Sequence, residues 1–292
     1  MRIGSLCTGY GGLDLAAEAF YGAETIWTCE YDKHASKVIE ARIGKPNHGD
    51  LKTTDWAQVE PIDILTAGYP CQPFSHAGFR KGAEDERHLW PYIKEIIRIL
   101  RPRFVVLENV RGHFTLGFRE VLSDLTSIGY DARWTLIRAS DAGAPHRRER
   151  LFILAYPVSK WSGKCSDREP PEILECRNGF TQHSDTYGER FSLVGIDGGE
   201  KRDKRKSQSI SRQFVEAIYD QEVPPPLDQG KLNVKFVEYM MGLPSGWVTN
   251  VDLPRAQILK ILGNGVVPQQ AYEALKILHS YPQKLSSGYP HA

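Results

Sequence analysis

The chain has 292 residues, of which 41% are hydrophobic and 25% are charged, as in an ordinary globular protein. This composition excludes a disordered, collagen-like or coiled-coil chain, and the length allows one large domain or two modest ones. Lysine and arginine number 37 against 36 aspartate and glutamate, so any nucleic-acid contact must come from local patches rather than from a polybasic chain.

Short apolar segments alternate with amphipathic ones as far as residue 156. The predicted strands are residues 2–6, 25–30, 62–67, 104–108, 132–137 and 151–156. The predicted helices between them are residues 13–20, 35–43, 89–100 and 118–128. Nearly continuous apolar strands suit a sheet that is covered on both faces. The pattern therefore predicts an α/β fold with a doubly wound, mostly parallel sheet.

Beyond Pro157 the sequence becomes polar and glycine-rich as far as Pro226, which predicts a small, partly irregular region. Helical patterns return at residues 234–241, 256–262 and 267–279. Because the chain ends of α/β domains often dock together, we expect this tail to return to the first domain. The predicted units are residues 1–156, 157–231 and 232–292.

A glycine turn, Gly9-Tyr10-Gly11-Gly12, follows the first predicted strand. Such glycines let a ligand approach the amides at a helix N-terminus, although an ordinary strand-to-helix loop uses the same residues. Glu30 ends the second strand, where an acidic residue accepts hydrogen bonds from a ribose in nucleotide-binding folds. Asp50 could accept from an adenine amino group, although an Asp in a loop is often a cap. Together these residues predict an adenosine-bearing cofactor.

Two later strands end in chemically reactive residues. Residues 62–67 lead into Pro70-Cys71-Gln72-Pro73, and residues 104–108 end at Glu108. Since the carboxyl ends of parallel strands face the ligand crevice, we expect Cys71 and Glu108 at the same rim. A free cysteine is commonly a buried apolar residue, which describes Cys29 better than Cys71. A thiol beside a carboxyl group is the outline of a reaction centre.

Cysteine usage and hydropathy predict the compartment. The five cysteines include no Cys-x-x-Cys pair, which argues against a disulfide framework and a structural zinc site. No apolar run reaches the roughly 20 residues that span a bilayer, and residues 1–4 lack a signal-peptide core. We therefore expect a soluble, cytoplasmic monomer without membrane contact or metal.

These motifs stand in the order typical of DNA (cytosine-5)-methyltransferases, and the sequence resembles that family. Its further matching blocks are His146-Arg147-Arg148-Glu149-Arg150, residues 232–244, and Gly263-Asn264-Gly265-Val266-Val267-Pro268. The resemblance covers about residues 2–156 and 232–279. The family usually has an aromatic residue just before the glycine turn, where this chain has Leu6-Cys7, so adenine packing there is expected to differ.

The resemblance implies methyl transfer from S-adenosylmethionine to C5 of a cytosine swung out of duplex DNA. It implies that Cys71 adds to C6, that Glu108 protonates N3, and that Arg148 and Arg150 hold the base and a phosphate. The alternative for these arginines is a surface ion-pair cluster with Glu149. The cofactor residues that it implies are Gly9, Tyr10, Gly11, Gly12, Glu30, Tyr31, Asp50, Asn264 and Val266.

Contacts to DNA are predicted in two segments. The expected DNA-binding residues are Gln72, Ser75, Arg80, Lys201, Arg202, Lys204, Arg205 and Lys206. The loop at 75–87 carries glycines and mixed charges that favour closure over DNA, with a static surface loop as the alternative. Residues 157–226 take the place of the family's target-recognition domain but are few, so a short target context is expected.

Four functions remain open on the sequence. A DNA methyltransferase would act alone or beside a cognate restriction endonuclease. An RNA cytosine methyltransferase of the same family shares the Pro-Cys-Gln motif. The presence of Cys71, Glu108 and Arg148 argues against a non-catalytic DNA-binding regulator, and the Pro-Cys-Gln loop has no role in a nicotinamide-dependent oxidoreductase.

Overall fold

A computed structural model describes residues 1–70, 89–158 and 222–280. The chain divides into two compact units, and the fold below belongs to the first, Met1–Ser162 with Gln208–Ala292. The second unit, Gly163–Ser207, lies outside the described residues. Within the described ranges, no helix has the length and apolarity required to cross a membrane.

Six strands form one sheet in the order β2-β1-β3-β4-β6-β5. They are β1 (Arg2–Leu6), β2 (Glu24–Cys29), β3 (Ile64–Gly68), β4 (Phe104–Val110), β5 (Tyr130–Arg138) and β6 (Glu149–Pro157). Strands β1 to β4 pair in parallel, and β6 runs antiparallel to both β4 and β5. The predicted mostly parallel sheet is confirmed. A short hairpin of β7 (Leu227–Asp228) and β8 (Lys231–Leu232) forms a separate sheet.

The helices begin and end close to their predicted limits. They are α1 (Gly12–Tyr21), α2 (Lys33–Arg42), α3 (Trp90–Leu100), α4 (Phe118–Ser127), α5 (Val234–Met240), α6 (Arg255–Asn264) and α7 (Pro268–Ser280). Asp32 starts α2 by accepting hydrogen bonds from the amides of His34 and Ala35, which is an ordinary N-cap. The differences from prediction are about two residues, as expected for fraying helix ends.

Apolar side chains cover the sheet on both faces. On one face Leu65 of β3 belongs to a cluster with Ile93 of α3 and with α4. On the other, Ile64 belongs to a cluster with Ala16 of α1 and Leu278 of α7. Neighbouring residues of β3 are thus buried on opposite faces, which explains its continuous apolar sequence. The fold is therefore doubly wound, and the last helix packs against α1 and β5.

Tyr10 joins the glycine turn to the end of α6. Its ring is fully buried, and its hydroxyl donates to the carbonyl oxygen of Val266 at 2.7 Å. A Cβ at Gly265 would overlap the Tyr10 ring, and a Cβ at Gly12 would overlap the Val266 carbonyl. Both positions therefore require glycine because the two segments approach more closely than a side chain allows.

We predict that Gly265→Ala lowers the free energy of unfolding by about 1–3 kcal/mol, the usual cost of an overpacked core. The matched control is Gly263→Ala in the same block, where a Cβ meets nothing within 4 Å. It should leave stability unchanged or slightly higher, because alanine favours a helix. Urea unfolding of both variants measures the difference, and equal stabilities would contradict the close packing at Tyr10.

Candidate active site

The carboxyl ends of β1 to β4 open into a cavity of about 790 Å³. This volume lies within the roughly 300–1,000 Å³ typical of small-molecule sites. Of the predicted site residues, those on its wall are Gly9, Gly12, Glu30, Tyr31, Asp50, Glu108, Arg150, Asn264 and Val266. The fold thus brings residues from both ends of the sequence to one cavity.

Three predicted site residues are absent from that wall among the described residues. Gly11 and Tyr10 are buried in the packing of the glycine turn. Arg148 directs its Nη2 to the carbonyl oxygens of Gly263 and Gly265, at 2.8 and 2.6 Å. Tyr10 and Arg148 therefore support the cavity from outside.

The remaining predicted residues lie outside the described part of the chain. Cys71 follows Pro70, the last described residue after β3. All of the predicted DNA-binding residues also lie outside the described part of the chain. They are Gln72, Ser75, Arg80, Lys201, Arg202, Lys204, Arg205 and Lys206. Their roles stay predictions, as does closure of the loop at 75–87.

Glu30 is fixed by main-chain amides. Its Oε2 accepts from the Gly9 amide at 2.9 Å and its Oε1 from the Asp32 amide at 2.8 Å. Burial raises the pKa of Glu30, although these hydrogen bonds oppose the shift. Each carboxylate oxygen accepts about two hydrogen bonds, so both oxygens keep acceptor capacity for a ribose hydroxyl.

Tyr31 and Asp50 line the same cavity as Glu30. Tyr31 is 78% exposed, so its ring is available to a planar ligand. Asp50 Oδ1 accepts from the Lys52 amide at 2.9 Å, which is the turn cap that the sequence left as an alternative. Asp50 therefore combines a cap with a place on the wall.

Cys7 occupies the position where the sequence lacks an aromatic residue. It lies on the wall with a left-handed backbone angle (φ 52°), and its amide donates to the Cys29 carbonyl at 2.8 Å. Burial raises the pKa of the Cys7 thiol and raises that of Cys29 to about 12. Both thiols are therefore neutral and form an apolar part of the wall.

Glu108 lies at the end of β4 with Arg150 Nε 3.0 Å from its Oε1. Burial raises the pKa of Glu108 from 4.5 to about 7, while the charges of Arg150 and Arg148 oppose the shift. A Cβ built at Gly68 would lie 3.6 Å from Glu108 Oε2. The carboxyl group is therefore beside the end of β3 and can carry a proton near neutral pH.

Asn109 connects β4 to the segment that leads to Cys71. Its Nδ2 donates to the Tyr69 carbonyl at 3.1 Å, and its Oδ1 accepts from the Val110 amide. The Tyr69 hydroxyl pairs with His113 Nε2 at 3.0 Å in a buried contact. These bonds fix the backbone immediately before the segment that contains Cys71.

The Glu149 carboxylate pairs with neither of the arginines on either side of it, and only the Glu149 main-chain carbonyl accepts from Arg150, at 3.0 Å. Its carboxylate accepts from Arg111 at 2.6 Å and lies 3.9 Å from Arg138 Nε. Arg150 is committed to Glu108 instead. The structure thus differs from the surface cluster that the sequence left as an alternative.

Three supporting residues were not identified from the sequence. Gln270 donates to the carbonyl oxygens of Ile137 and Arg148 at 2.8 and 2.7 Å, and Glu238 accepts from the Gly246 and Val248 amides. No sequence motif indicated a role for Gln270 or Glu238. Asp14 is a buried carboxylate on the wall, and a charged residue in the first turn of α1, just after the glycine turn, was a usable signal.

Residues 1–184 match the model of the C-5 cytosine-specific DNA methylase family. The chain belongs to the C-5 cytosine-specific DNA methylase family, which confirms the resemblance. Type II methyltransferase M.NgoBI of Neisseria gonorrhoeae is 38% identical over 156 residues, 52% of this chain and 49% of that protein. Type II methyltransferase M.BsuFI of Bacillus subtilis is 37% identical over 158 residues, 52% of this chain and 38% of that protein.

The chain thus spans about half the length, or less, of these curated relatives. Among solved structures, the Entamoeba histolytica methyltransferase EhMeth has a TM-score of 0.61 and 16% identity. The alignment covers 95% of this chain and 97% of that one. This likeness shows that the two proteins share a fold.

We predict that the Glu108 carboxyl titrates with a pKa of about 7. Carbon-13 NMR of a glutamate-labelled chain measures it, and Glu108→Gln assigns the signal. Arg150→Gln should raise the pKa further because a neutralising charge is removed. The control is Arg111→Gln, whose partner is Glu149, and it should leave the pKa unchanged. A midpoint near 4.5 would contradict the burial of Glu108.

Proposed function

We propose that this chain is an S-adenosylmethionine-dependent DNA cytosine-5 methyltransferase. The main support is the Glu108 carboxyl, which is buried beside Arg150 at the end of β4. It shares one cavity with the glycine turn and Glu30. Family membership and the type II methyltransferase relatives support the reaction and double-stranded DNA as its substrate. A cognate restriction endonuclease is the functional partner that this proposal includes.

The wall residues fit the proposed cofactor. A Cβ at Gly9 would meet no atom within 4 Å, so this part of the turn leaves space for a ligand. Glu30 offers acceptors to ribose hydroxyls and Tyr31 an exposed ring to adenine. Asn264 and Val266 form the wall contributed by the C-terminal tail. When bound, S-adenosylmethionine supplies an electrophilic methyl group.

Cys71 and Glu108 would act together on the cytosine ring. The Cys71 thiolate forms a bond to C6 while Glu108 gives its proton to N3, which makes C5 nucleophilic. After methylation, a water molecule would take the C5 proton, the bond between sulfur and C6 would break to release the Cys71 thiolate, and the N3 proton would return to Glu108. Arg150 would hold the base, and its contact with the Glu108 carboxyl supports this role.

Arg148 would serve as a positioning residue for both ends of the cavity. Its bonds to Gly263 and Gly265 flank Asn264, and its carbonyl is held by Gln270. Two residues later the same segment presents Arg150 to Glu108. The arginine would thus connect the cofactor wall to the catalytic carboxyl without touching the base.

We predict that duplex DNA carrying 5-fluorocytosine at the target traps the enzyme through Cys71. Fluorine cannot leave C5 as a proton does, so elimination fails after methyl transfer. A complex that survives denaturing electrophoresis and requires S-adenosylmethionine is expected. Cys71→Ser should abolish it, because a hydroxyl is a much weaker nucleophile. Cys165→Ser, at a cysteine outside every motif, is the control and should still be trapped.

We predict that the enzyme methylates duplex DNA and leaves transfer RNA unmodified. Bisulfite sequencing of both nucleic acids after treatment measures the substrate and its sequence context in one experiment. A few base pairs of context are expected. Modification confined to transfer RNA would support the RNA methyltransferase, and binding of DNA without modification would support the regulator.

A further inference from the structure

Asp14 is a buried carboxylate on the cavity wall that the proposed reaction does not use. It lies in the first turn of α1 and is 2% exposed. Its Oδ2 accepts from the Ser5 hydroxyl at 2.9 Å and its Oδ1 from the Thr66 hydroxyl at 2.5 Å. Ser5 and Thr66 line the same cavity.

The partners of Asp14 are neutral, unlike those of two other acids on the wall. Glu108 has Arg150, and Asp32 has Lys260 at 2.7 Å. No cation contacts Asp14 within residues 1–70, 89–158 and 222–280. A buried charge is costly unless an opposite charge or a ligand compensates it. Asp14 therefore marks a part of the wall that suits a cationic group.

The position of Asp14 relates it to the reacting end of the cavity. Thr66 precedes Gly68 by two residues on β3, a rise of about 6.6 Å. Gly68 lies opposite Glu108 in the sheet and beside its carboxyl group. Residues two apart on a strand face the same side of the sheet, so Asp14 bonds to the face of β3 on which Gly68 adjoins the Glu108 carboxyl.

We propose that Asp14 is the counter-charge that makes the site prefer the cationic methyl donor to its neutral product. The sulfonium of S-adenosylmethionine carries a positive charge, whereas the thioether of S-adenosylhomocysteine carries none. An anion behind the reacting end stabilises the first ligand more than the second. This inference rests on the proposed function, since it requires that cofactor in the cavity.

The preference should depend on pH. Burial raises the pKa of Asp14 to about 6, the Thr66 and Ser5 hydroxyls oppose the shift, and Glu18 on α1 adds to it. Below this pKa the carboxyl is neutral and cannot distinguish the ligands, and above it the anion favours the cation. The donor preference should therefore increase as pH rises through about 6.

Other ionisable groups line the cavity and must be separated from Asp14. Glu108, beside Arg150 on β6, titrates near pH 7 and lies at the reacting end. Glu30, after β2, would contact the adenosine part that donor and product share. Measuring the pH dependence of the donor preference in Glu108→Gln removes the contribution of Glu108. Comparing ligands that share the adenosine part cancels the contribution of Glu30.

Isothermal titration calorimetry on the full chain tests the inference with three probes. S-adenosylmethionine and sinefungin are cationic at the reacting position, and S-adenosylhomocysteine is neutral there. At pH 7.5, Asp14→Asn should weaken binding of the two cationic probes on the order of tenfold more than binding of the neutral one. Glu18→Gln removes a negative charge from the next turn of α1, off the cavity wall. It should keep this affinity ratio at pH 7.5, because Asp14 is ionised there with or without Glu18.

Equal weakening of all three probes by Asp14→Asn would overturn the inference and leave Asp14 a structural role. If Asp14→Asn fails to fold, the donor-to-product affinity ratio is measured in Glu108→Gln from pH 5 to 7.5. A ratio that rises with pH supports the inference, and a constant ratio overturns it. Wild-type chain that binds none of the probes would overturn the proposed function itself. If the wild-type chain binds S-adenosylmethionine tightly and Asp14→Asn leaves the donor-to-product affinity ratio unchanged, only the role of Asp14 is overturned.

Discussion

The rest of the site depends on the contact between the Tyr10 ring and the backbone of Gly265 and Val266. Tyr10 belongs to the first loop of the chain, and the other two belong to the tail. Because the ring fills the space where side chains would stand, the glycine turn and the terminal block can form opposite parts of one cavity wall. Trp247 adds a second link, since its indole donates to the Tyr10 carbonyl at 2.9 Å.

The cavity that this contact closes differs chemically from end to end. At one end, main-chain amides hold the Glu30 carboxylate with its acceptors available to a ribose. At the other end, burial raises the pKa of Glu108 to about 7, so this carboxyl can carry a proton near neutral pH. The charge of Arg150, 3.0 Å away, opposes this shift. Arg148 connects the two, since it bonds to the tail and precedes Arg150 by two residues. The proposed cofactor binding and proton transfer would thus share one framework.

Local patterns in the sequence were sufficient for the strands and for the position of Glu108 at the end of β4. The position of Glu108 followed from an apolar strand ending in an acid, because parallel strands all end at the same edge. The partner of Arg148 did not follow, since nothing local to residue 148 indicates that Gly263 and Gly265 lie beside it. The burial of the Tyr10 ring did not follow either, since only the returning tail covers it, and its contact with the cofactor stays a prediction. Long-range packing, rather than local pattern, decided these roles.

Single-turnover methyl transfer by Glu108→Gln tests the central claim most directly. Glutamine keeps the shape and a hydrogen bond but cannot give a carboxyl proton to N3. The rate should fall by about 10²–10⁴, the usual contribution of a general acid, while affinities for DNA and S-adenosylmethionine stay close to wild type. An unchanged rate in a folded variant that binds both would contradict the role of Glu108 and, with it, the account of the site as a cytosine methylation centre.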